Sequence, residues 1–167
     1  MVGEAVELAG IELRRRNVRL SHYVAARLPQ LMVDPILIEQ VLVNLLKNAA
    51  ESIEHAQRPT ARRSVELRVV PKQQNNQPVV EFSVLDSGTG LAPEVMDRVY
   101  EAFFSTKVEG MGIGLKLCRT IVESHQGRMQ AENIYNGTEV AGCRFTFWIP
   151  VSYATNFIVN PNPGVPA

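Results

Sequence analysis

Two glycine-rich segments in a fixed order constrain the fold of this chain most. The first, Asp86-Ser-Gly-Thr-Gly90, follows an apolar run, and the second, Gly110-Met-Gly-Ile-Gly-Leu115, precedes a segment with a helical pattern. Backbone N–H groups of such a loop, at the start of a helix, can bind phosphate. A dinucleotide-binding fold would place that loop directly after a strand, but here it follows Phe103-Phe-Ser-Thr-Lys107. The layout also differs from a P-loop, so it indicates a nucleotide pocket of another architecture.

The composition is that of one ordinary globular domain without an electrostatic bias. The 167 residues are 46% hydrophobic and 20% charged, and 17 basic residues balance 17 acidic ones. This balance gives no electrostatic support for binding nucleic acid or an anionic membrane. The sequence has no signal-peptide pattern and no apolar run near the ~20 residues that span a bilayer. Since Cys118 and Cys143 are few and far apart, we expect a cytoplasmic segment without membrane contact, whether or not its parent protein is membrane-anchored.

The strongest helix signal begins at Asp34-Pro35, an N-cap residue followed by proline at the first helical position. The predicted helix runs to about Ala56. Its apolar positions recur every three or four residues and predict a buried stripe of Ile38, Val41, Leu42, Leu45, Ala49 and Ile53. Residues 3–16, 93–100 and 113–124 also have helical patterns, and His125-Gln-Gly127 ends the last of them.

Five alternating or apolar runs predict strands, at 17–25, 65–70, 79–85, 128–134 and 144–149. Polar residues 73–77 predict the turn of a hairpin, and Asn136-Gly137 predicts a second turn. Residues 101–112 contain glycines and no regular pattern, which makes them a candidate lid, and Pro150 ends the regular fold. The expected product is an α/β sandwich, in which a mixed β-sheet packs helices on one face.

Asn44 and Asn48 lie one turn apart on the polar face of the long helix. An amide offers an oxygen, which suits Mg²⁺, and N–H donors, which suit phosphates; the alternative is a pair of solvated side chains. Asp86 follows an apolar strand and can accept from the exocyclic amine of adenine, while Gly88 and Gly90 leave room for a flat base. The alternative for this segment is an ordinary strand-to-helix turn.

Taken in order, these segments resemble the catalytic ATP-binding domain of two-component sensor histidine kinases over roughly residues 30–150. Glu39-Gln-Val-Leu-Val-Asn44-Leu-Leu-Lys-Asn48 is similar to the N box, and Asp86–Gly90 to the first glycine box. Tyr100–Lys107 is similar to the phenylalanine box, Gly110–Leu115 to the second glycine box, and Gly142–Pro150 to the last strand. The resemblance implies the Bergerat-type (GHKL) fold shared with gyrase, MutL and heat-shock chaperones. The residues of the phenylalanine box and the second glycine box are similar to those of nitrogen-regulation and oxygen-sensing kinases.

The resemblance also implies a role for each matching residue. Asn48 would bind Mg²⁺, Asn44 the phosphates of ATP, and Asp86 the adenine amine, with Asn44 and Lys107 contributing to catalysis. The further ATP-binding positions that it implies are Lys47, Gly88, Gly90, Leu91, Thr106, Lys107, Gly110, Gly112, Ile113, Gly114 and Leu115. For Lys107 the alternative is a solvated lysine on a loop.

Two positions depart from the family pattern. Glu51 stands where many relatives have Lys or Arg, three residues after the magnesium asparagine. Phosphate charge would therefore be met by Lys47 or Lys107. Cys143 stands where Thr is frequent, so a side-chain contact near adenine is weakened or lost.

The residue at position 44 distinguishes transfer from hydrolysis. ATPases of this fold have Glu one helical turn before the magnesium asparagine, and an amide such as Asn44 is not a general base. Phosphoryl transfer depends mainly on positioning and charge stabilisation. The resemblance therefore implies a protein-histidine kinase that holds ATP·Mg²⁺ for transfer to another nucleophile.

The acceptor histidine of the family is followed by an acidic residue and then a proline, and His22, His55 and His125 do not fit this pattern. We expect the acceptor on a dimerisation domain outside this chain, no self-phosphorylation by this chain alone, and relay to the receiver domain of a response regulator. Residues 1–16 are interpreted as the end of a dimerisation helix or a linker, 17–150 as the catalytic domain and 151–167 as a C-terminal tail.

Three alternatives remain open on the sequence. The first is a serine protein kinase of the anti-sigma type with the same fold. The second is a non-catalytic docking module, and the third is a gyrase-class hydrolase with a substitute base.

Overall fold

The computed structural model of the protein describes residues 1–93 and 112–151. Apart from residues 93 and 112, the predicted short helix over 93–100 and the predicted lid over 101–112 lie outside these ranges. The tail predicted over 151–167 does so after Val151. The elements are, in chain order, α1 (Val2–Arg15), β1 (Arg19–Val24), α2 (Pro35–Ala56), a 3₁₀ turn (Thr60–Arg62), β2 (Ser64–Gln74), β3 (Gln77–Asp86), α3 (Gly112–Ser124), β4 (Arg128–Asn136) and β5 (Glu139–Pro150).

The strands form one mixed sheet in the order β1-β2-β3-β5-β4. β1 is parallel to β2, and the other neighbouring pairs are antiparallel. Inward-facing side chains alternate with outward ones along each strand, so Val65, Leu67 and Val69 are buried while Glu66 and Arg68 are not. The helices cover the buried face. The predicted α/β sandwich with a mixed sheet is therefore confirmed.

The hairpin between β2 and β3 is tighter than the polar run at 73–77 predicts. Gln73 pairs with Pro78 and Gln74 with Gln77, so the strands continue to the turn itself. The two turn residues, Asn75 and Asn76, have φ angles of 50° and 63°. A two-residue turn of this kind matches the twist of its strands, and asparagine tolerates the left-handed region. The prediction of a five-residue turn is wrong for this reason.

Helix α2 begins and ends as its sequence predicts. The Asp34 side chain accepts hydrogen bonds from the backbone N–H groups of Ile36 (3.0 Å) and Leu37 (3.3 Å). The helix ends at Gln57, which adopts a left-handed φ of 53°. All six residues of the predicted apolar stripe are buried, and Leu46 and Ala50 join them.

Helix α1 packs on α2 as part of the same core. Ala5, Ala9 and Leu13 are each 0% exposed, and Arg16 forms an ion pair with Glu54 near the end of α2. The helix predicted over 3–16 is confirmed. Its assignment to the end of a dimerisation helix stays a prediction.

Helices α2 and α3 pack antiparallel, and two contacts fix their register. The backbone N–H of Asp34, before α2, donates to Nε2 of His125, after α3 (3.1 Å). Two turns further along α2, the Val41 carbonyl oxygen lies 4.0 Å from the sulfur of Cys118. Both helices advance seven residues between these contacts, which is two turns. The same spacing brings Asn48 level with the start of α3.

None of the helices within residues 1–93 and 112–151 is both long enough and apolar enough to cross a bilayer.

Candidate functional site

The polar face of α2 presents one row of half-buried side chains. Asn44 and Asn48 are four residues apart, as are Lys47 and Glu51, and each of the four is half-buried. The Asn44 amide also lies near the thiol of Cys118 on α3, where burial raises the pKa of the thiol and the amide lowers it by a smaller amount. The structure therefore keeps the two predicted asparagines on one face, at the boundary between α2 and α3.

The first turn of α3 lies beside this row. Continued for two turns beyond the contact between Val41 and Cys118, the antiparallel register brings Asn48 near the start of α3. We therefore expect the backbone N–H groups at that helix end to lie near this row. A β-carbon added at Gly114 would have no heavy atom of the described residues within 4 Å. Leu115, in contrast, is 8% exposed and belongs to the hydrophobic core. As far as the described residues go, the start of α3 thus has space beside Gly114 at an anion-attracting helix end.

Asp86 is a buried carboxylate at the end of β3. It is 5% exposed and lies on the helix-covered face, between Val65 of β2 and Cys143 of β5. Its Oδ1 accepts a hydrogen bond from the backbone N–H of Gly88 (2.8 Å). This contact is typical of an Asx-type turn, and it fixes how the carboxylate is oriented.

Cys143 lies directly across from Asp86. Burial raises the pKa of its thiol to about 12, and the negative charges of Asp86 and Glu132 add to the effect. The residue is therefore a neutral thiol beside the Asp86 carboxylate. Cys143, which departs from the family pattern, thus lies next to Asp86, the residue predicted to contact adenine.

The loop after Asp86 packs against α2. The hydroxyl oxygen of Ser52 accepts a hydrogen bond from the backbone N–H of Thr89 (3.2 Å). A β-carbon added at Gly88 would lie 2.2 Å from that hydroxyl oxygen and 2.8 Å from the Ser52 backbone carbon. Glycine at position 88 is thus required by the helix next to it. Ser52 is one turn beyond Asn48, so the Asp86 loop and the asparagine row are neighbours.

Gly90 and Leu91 complete the loop, and Asn133 on β4 holds them. Gly90 has a φ of +72°, and a β-carbon there would lie 2.4 Å from a methyl group of Val140. The backbone N–H of Leu91 donates to Oδ1 of Asn133 (2.7 Å), and Nδ2 of Asn133 donates to the Leu91 carbonyl (2.6 Å). The leucine side chain packs against the core. One side-chain amide therefore satisfies both backbone groups of Leu91.

Sequence reasoning did not single out Ser52, Arg58 or Asn133, and it named Gly142 only as the first residue of the segment similar to the family's last strand. The sequence could have indicated Asn133, because this polar residue occupies an inward position of an alternating strand. The structure pairs it with Cys143. No such indication exists for Arg58, since its partners are 29 to 82 residues away along the chain. A β-carbon at Gly142 would lie 1.8 Å from the Asp86 carbonyl oxygen, so this glycine lets β5 approach β3 there.

Several predicted site residues lie outside the described ranges. These are Thr106, Lys107 and Gly110, together with the side chain of Ile113. For the rest, Asn44, Lys47 and Asn48 lie on one side of α2, and Asn44 adjoins Cys118 of α3. The loop that follows Asp86 packs on Ser52 of α2 through Gly88 and Thr89, whereas Gly90 packs against Val140 and Asn133.

This arrangement suits a nucleotide with a divalent cation. A buried carboxylate with a fixed orientation lies at one end, and amide oxygens and a helix N-terminus lie at the other. Amide oxygens are hard ligands of the kind that Mg²⁺ accepts, and Mg²⁺ usually keeps substrate phosphates and waters as its remaining ligands. The donor set therefore fits ATP with Mg²⁺.

Comparison with known proteins gives the family. A family model described as histidine kinase-, DNA gyrase B- and HSP90-like ATPase matches residues 33–153. The sensor protein FixL of Bradyrhizobium diazoefficiens is 34% identical over 152 residues, which is 91% of this chain and 28% of that protein. The catalytic domain of the histidine kinase ThkA superposes with a TM-score of 0.68 at 28% identity and covers 90% of each chain. Full-length ShkA in complex with AMPPNP has a TM-score of 0.68 at 25% identity, over 88% of this chain and 28% of that one.

The chain belongs to the histidine kinase-, DNA gyrase B- and HSP90-like ATPase family. Within that family it is a catalytic ATP-binding domain of the sensor histidine kinase type. It spans between 22% and 30% of the length of three curated sensor kinases that it matches.

Proposed function

We propose that this domain binds ATP with Mg²⁺ and transfers the γ-phosphate to a histidine on a dimerisation domain outside residues 1–167. The phosphate would then pass to the receiver domain of a response regulator. The main support is the contact between Ser52 and Thr89. It joins the Asp86 loop to α2 one turn from Asn48, and this supports a single site that includes the predicted adenine and metal ends.

The described residues suggest how the nucleotide is held. Asp86 would accept from the exocyclic amine of adenine, and Asn44 would donate to the phosphates. Asn48 would supply an oxygen to Mg²⁺, which offsets the negative charge of the triphosphate when it is bound. The N-terminus of α3, with Gly112 and Gly114, would attract the same phosphates. Lys47, and Lys107 and Thr106 from outside the described ranges, are further candidates for phosphate contacts.

Transfer to another protein is favoured over hydrolysis. Asn44 stands one turn before Asn48, where an ATPase of this fold would have a glutamate, and its amide cannot take a proton from water. The Asn44 amide also lies near Cys118, a neutral thiol whose pKa burial raises to about 12. Neither side chain is a general base at neutral pH.

His125 is a poor acceptor for phosphate because both of its ring nitrogens are engaged. Nε2 accepts from the Asp34 backbone, and Nδ1 lies 2.8 Å from the Ile121 carbonyl oxygen, to which it donates. His22 and His55 are exposed, but neither is followed by the acidic residue and proline of the family's acceptor. An acceptor on another domain is consistent with these contacts. Because the domain would use ATP, we assign it to the cytoplasm, whether or not its parent is membrane-anchored.

The test combines calorimetry with phosphotransfer. The chain should bind ATP in the presence of Mg²⁺ and label a separately supplied dimerisation domain from γ-labelled ATP, as an acid-labile phosphohistidine. Asn48→Ala should weaken binding by about tenfold or more, whereas Gln40→Ala, at an exposed position of the same helix, should not.

Other outcomes point to other functions. Acid-stable label on a partner would support a serine kinase, and steady turnover without a partner would support a hydrolase. A chain that folds but binds no ATP would support a docking module. Strong labelling of a histidine in this chain alone would contradict the proposal that the acceptor histidine lies on another domain.

A further inference from the structure

Arg58 connects three separate backbone carbonyls next to the candidate adenine site. It follows Gln57, the left-handed residue that ends α2, so the chain turns back toward the Asp86 loop there. Its Nε donates to the Ser87 carbonyl (3.0 Å), and its Nη2 donates to the carbonyls of Gly88 (3.2 Å) and Val140 (3.2 Å). The guanidinium is half-buried and planar, so it holds these oxygens in one fixed geometry.

One of these bonds acts on Asp86 through a single peptide group. The Ser87 carbonyl and the Gly88 N–H belong to the same planar unit. Arg58 donates to the oxygen of that peptide, which is the Ser87 carbonyl. The N–H of the same peptide, which belongs to Gly88, donates to Oδ1 of Asp86 at 2.8 Å. A rotation of this peptide would therefore turn its N–H away from the carboxylate. Hydrogen bonds in such a chain also polarise one another, so the cation strengthens the donor that Asp86 uses.

We propose that Arg58 is a positioning residue for base recognition, which fixes the Ser87–Gly88 peptide and through it the orientation of the Asp86 carboxylate. The inference rests on the proposed ATP binding and adds a determinant of base selectivity to it. Arg58 itself need not touch the nucleotide. Its contact with the Val140 carbonyl also links the guanidinium to β5, so one side chain joins the loop to the sheet.

The experiment compares two nucleotides that differ at the group Asp86 would recognise. Inosine triphosphate has a carbonyl where ATP has its exocyclic amine, so the wild-type chain should prefer ATP. In Arg58→Gln the Kd for ATP should rise about tenfold, the equivalent of about 1.4 kcal/mol, while the Kd for inosine triphosphate should change less than about threefold. The readout is the ratio of the two dissociation constants measured by calorimetry. A merely loosened domain would weaken both nucleotides equally and leave that ratio unchanged.

Two further variants make the result specific. Arg58→Lys keeps a cation that can reach one carbonyl and should recover part of the selectivity. Arg68→Gln removes an arginine from the open face of the sheet, where it lies 3.4 Å from Glu66 and over the Tyr23 ring, and should leave the ratio unchanged. Thermal melts of each variant exclude those that fail to fold.

A double mutant tests whether Arg58 acts through Asp86. In an Asp86→Asn background, Arg58→Gln should cause no further loss of selectivity, because residues that act in series are not additive. Additive losses, or an unchanged ratio in Arg58→Gln, would overturn the inference while leaving ATP binding by the wild type intact. A folded wild-type chain that binds no ATP would instead contradict the proposed function itself.

Discussion

Cys143 determines the chemistry directly beside Asp86. It is 2% exposed and pairs with Asp86 across β3 and β5. Its thiol is a weak hydrogen-bonding group, in a position where the resemblance to sensor kinases implies that threonine is frequent. A hydroxyl there would add a stronger donor and acceptor at the candidate adenine site without a change of charge.

We therefore expect Cys143→Thr to tighten ATP binding. A gained neutral hydrogen bond corresponds to about a threefold to tenfold lower Kd, measured by calorimetry with ATP and Mg²⁺. Cys143→Val is the matched control, because valine has the shape of threonine without the hydroxyl. If the valine variant tightens binding as much as the threonine variant, the effect comes from packing and the hydrogen-bond explanation fails.

At the scale of elements, the first turn of α3 has a residue that lowers helix stability but leaves room for a ligand. Gly114 is helical, and a β-carbon there would meet none of the described atoms within 4 Å. Glycine in a helix costs backbone entropy, so nothing in the packing of the described residues explains why position 114 is not alanine. The proposed approach of phosphates to this turn does explain it.

Gly114→Ala should therefore shift stability and affinity in opposite directions. The free energy of unfolding should rise by about 0.5 kcal/mol from helix propensity, and ATP affinity should fall because a methyl group enters the phosphate region. Urea unfolding and calorimetry measure the two quantities on the same sample. Gly3→Ala, in the first turn of α1 and also in open space, should give a similar stability gain with unchanged ATP affinity. Unchanged affinity in Gly114→Ala would remove this turn from the site.

Most elements could be predicted because their signals are local. Asp34 and Pro35 mark the start of α2, and alternation within ten residues marks each strand. The boundaries were less predictable where tertiary contacts extend a strand. β5 begins at Glu139 rather than near 144, because Glu139, Val140 and Gly142 pair with β4 across their hairpin. A glycine in that run weakens the strand signal in the sequence.

The candidate site was predictable where its residues belong to motifs and not where they only support them. Asn48 and Asp86 follow from recognisable segments, whereas Arg58 follows from no segment at all. Its role depends on where β5 and the Asp86 loop meet the end of α2, and contacts over 29 to 82 residues of chain have no local pattern. Such supporting side chains become visible only once the fold brings their partners together.

For the molecule as a whole, both cysteines are sealed within one core. Cys118 is 0% exposed and lies between α3 and α2, and Cys143 is 2% exposed on the sheet. Burial is the main reason that each thiol has its pKa raised from an ordinary value near 9 to about 12. The folded domain therefore resists the deprotonation of both groups, and the unfolded chain does not.

This difference predicts a loss of stability at alkaline pH. Below pH 9 both states keep their thiol protons; between pH 9 and 12 the unfolded chain loses them while the folded chain keeps them. The unfolded state is therefore favoured progressively as pH rises, by at most about 1.4 kcal/mol per pH unit for each thiol. Urea unfolding across this range should show the decline, and a Cys118→Ala, Cys143→Val double variant should show a shallower one. If the free energy of unfolding falls equally steeply with pH in the two proteins, groups other than the two thiols cause the loss of stability.

At neutral pH a thiol reagent should react with neither cysteine until the chain unfolds, because the thiolate is the reactive form and both side chains are buried.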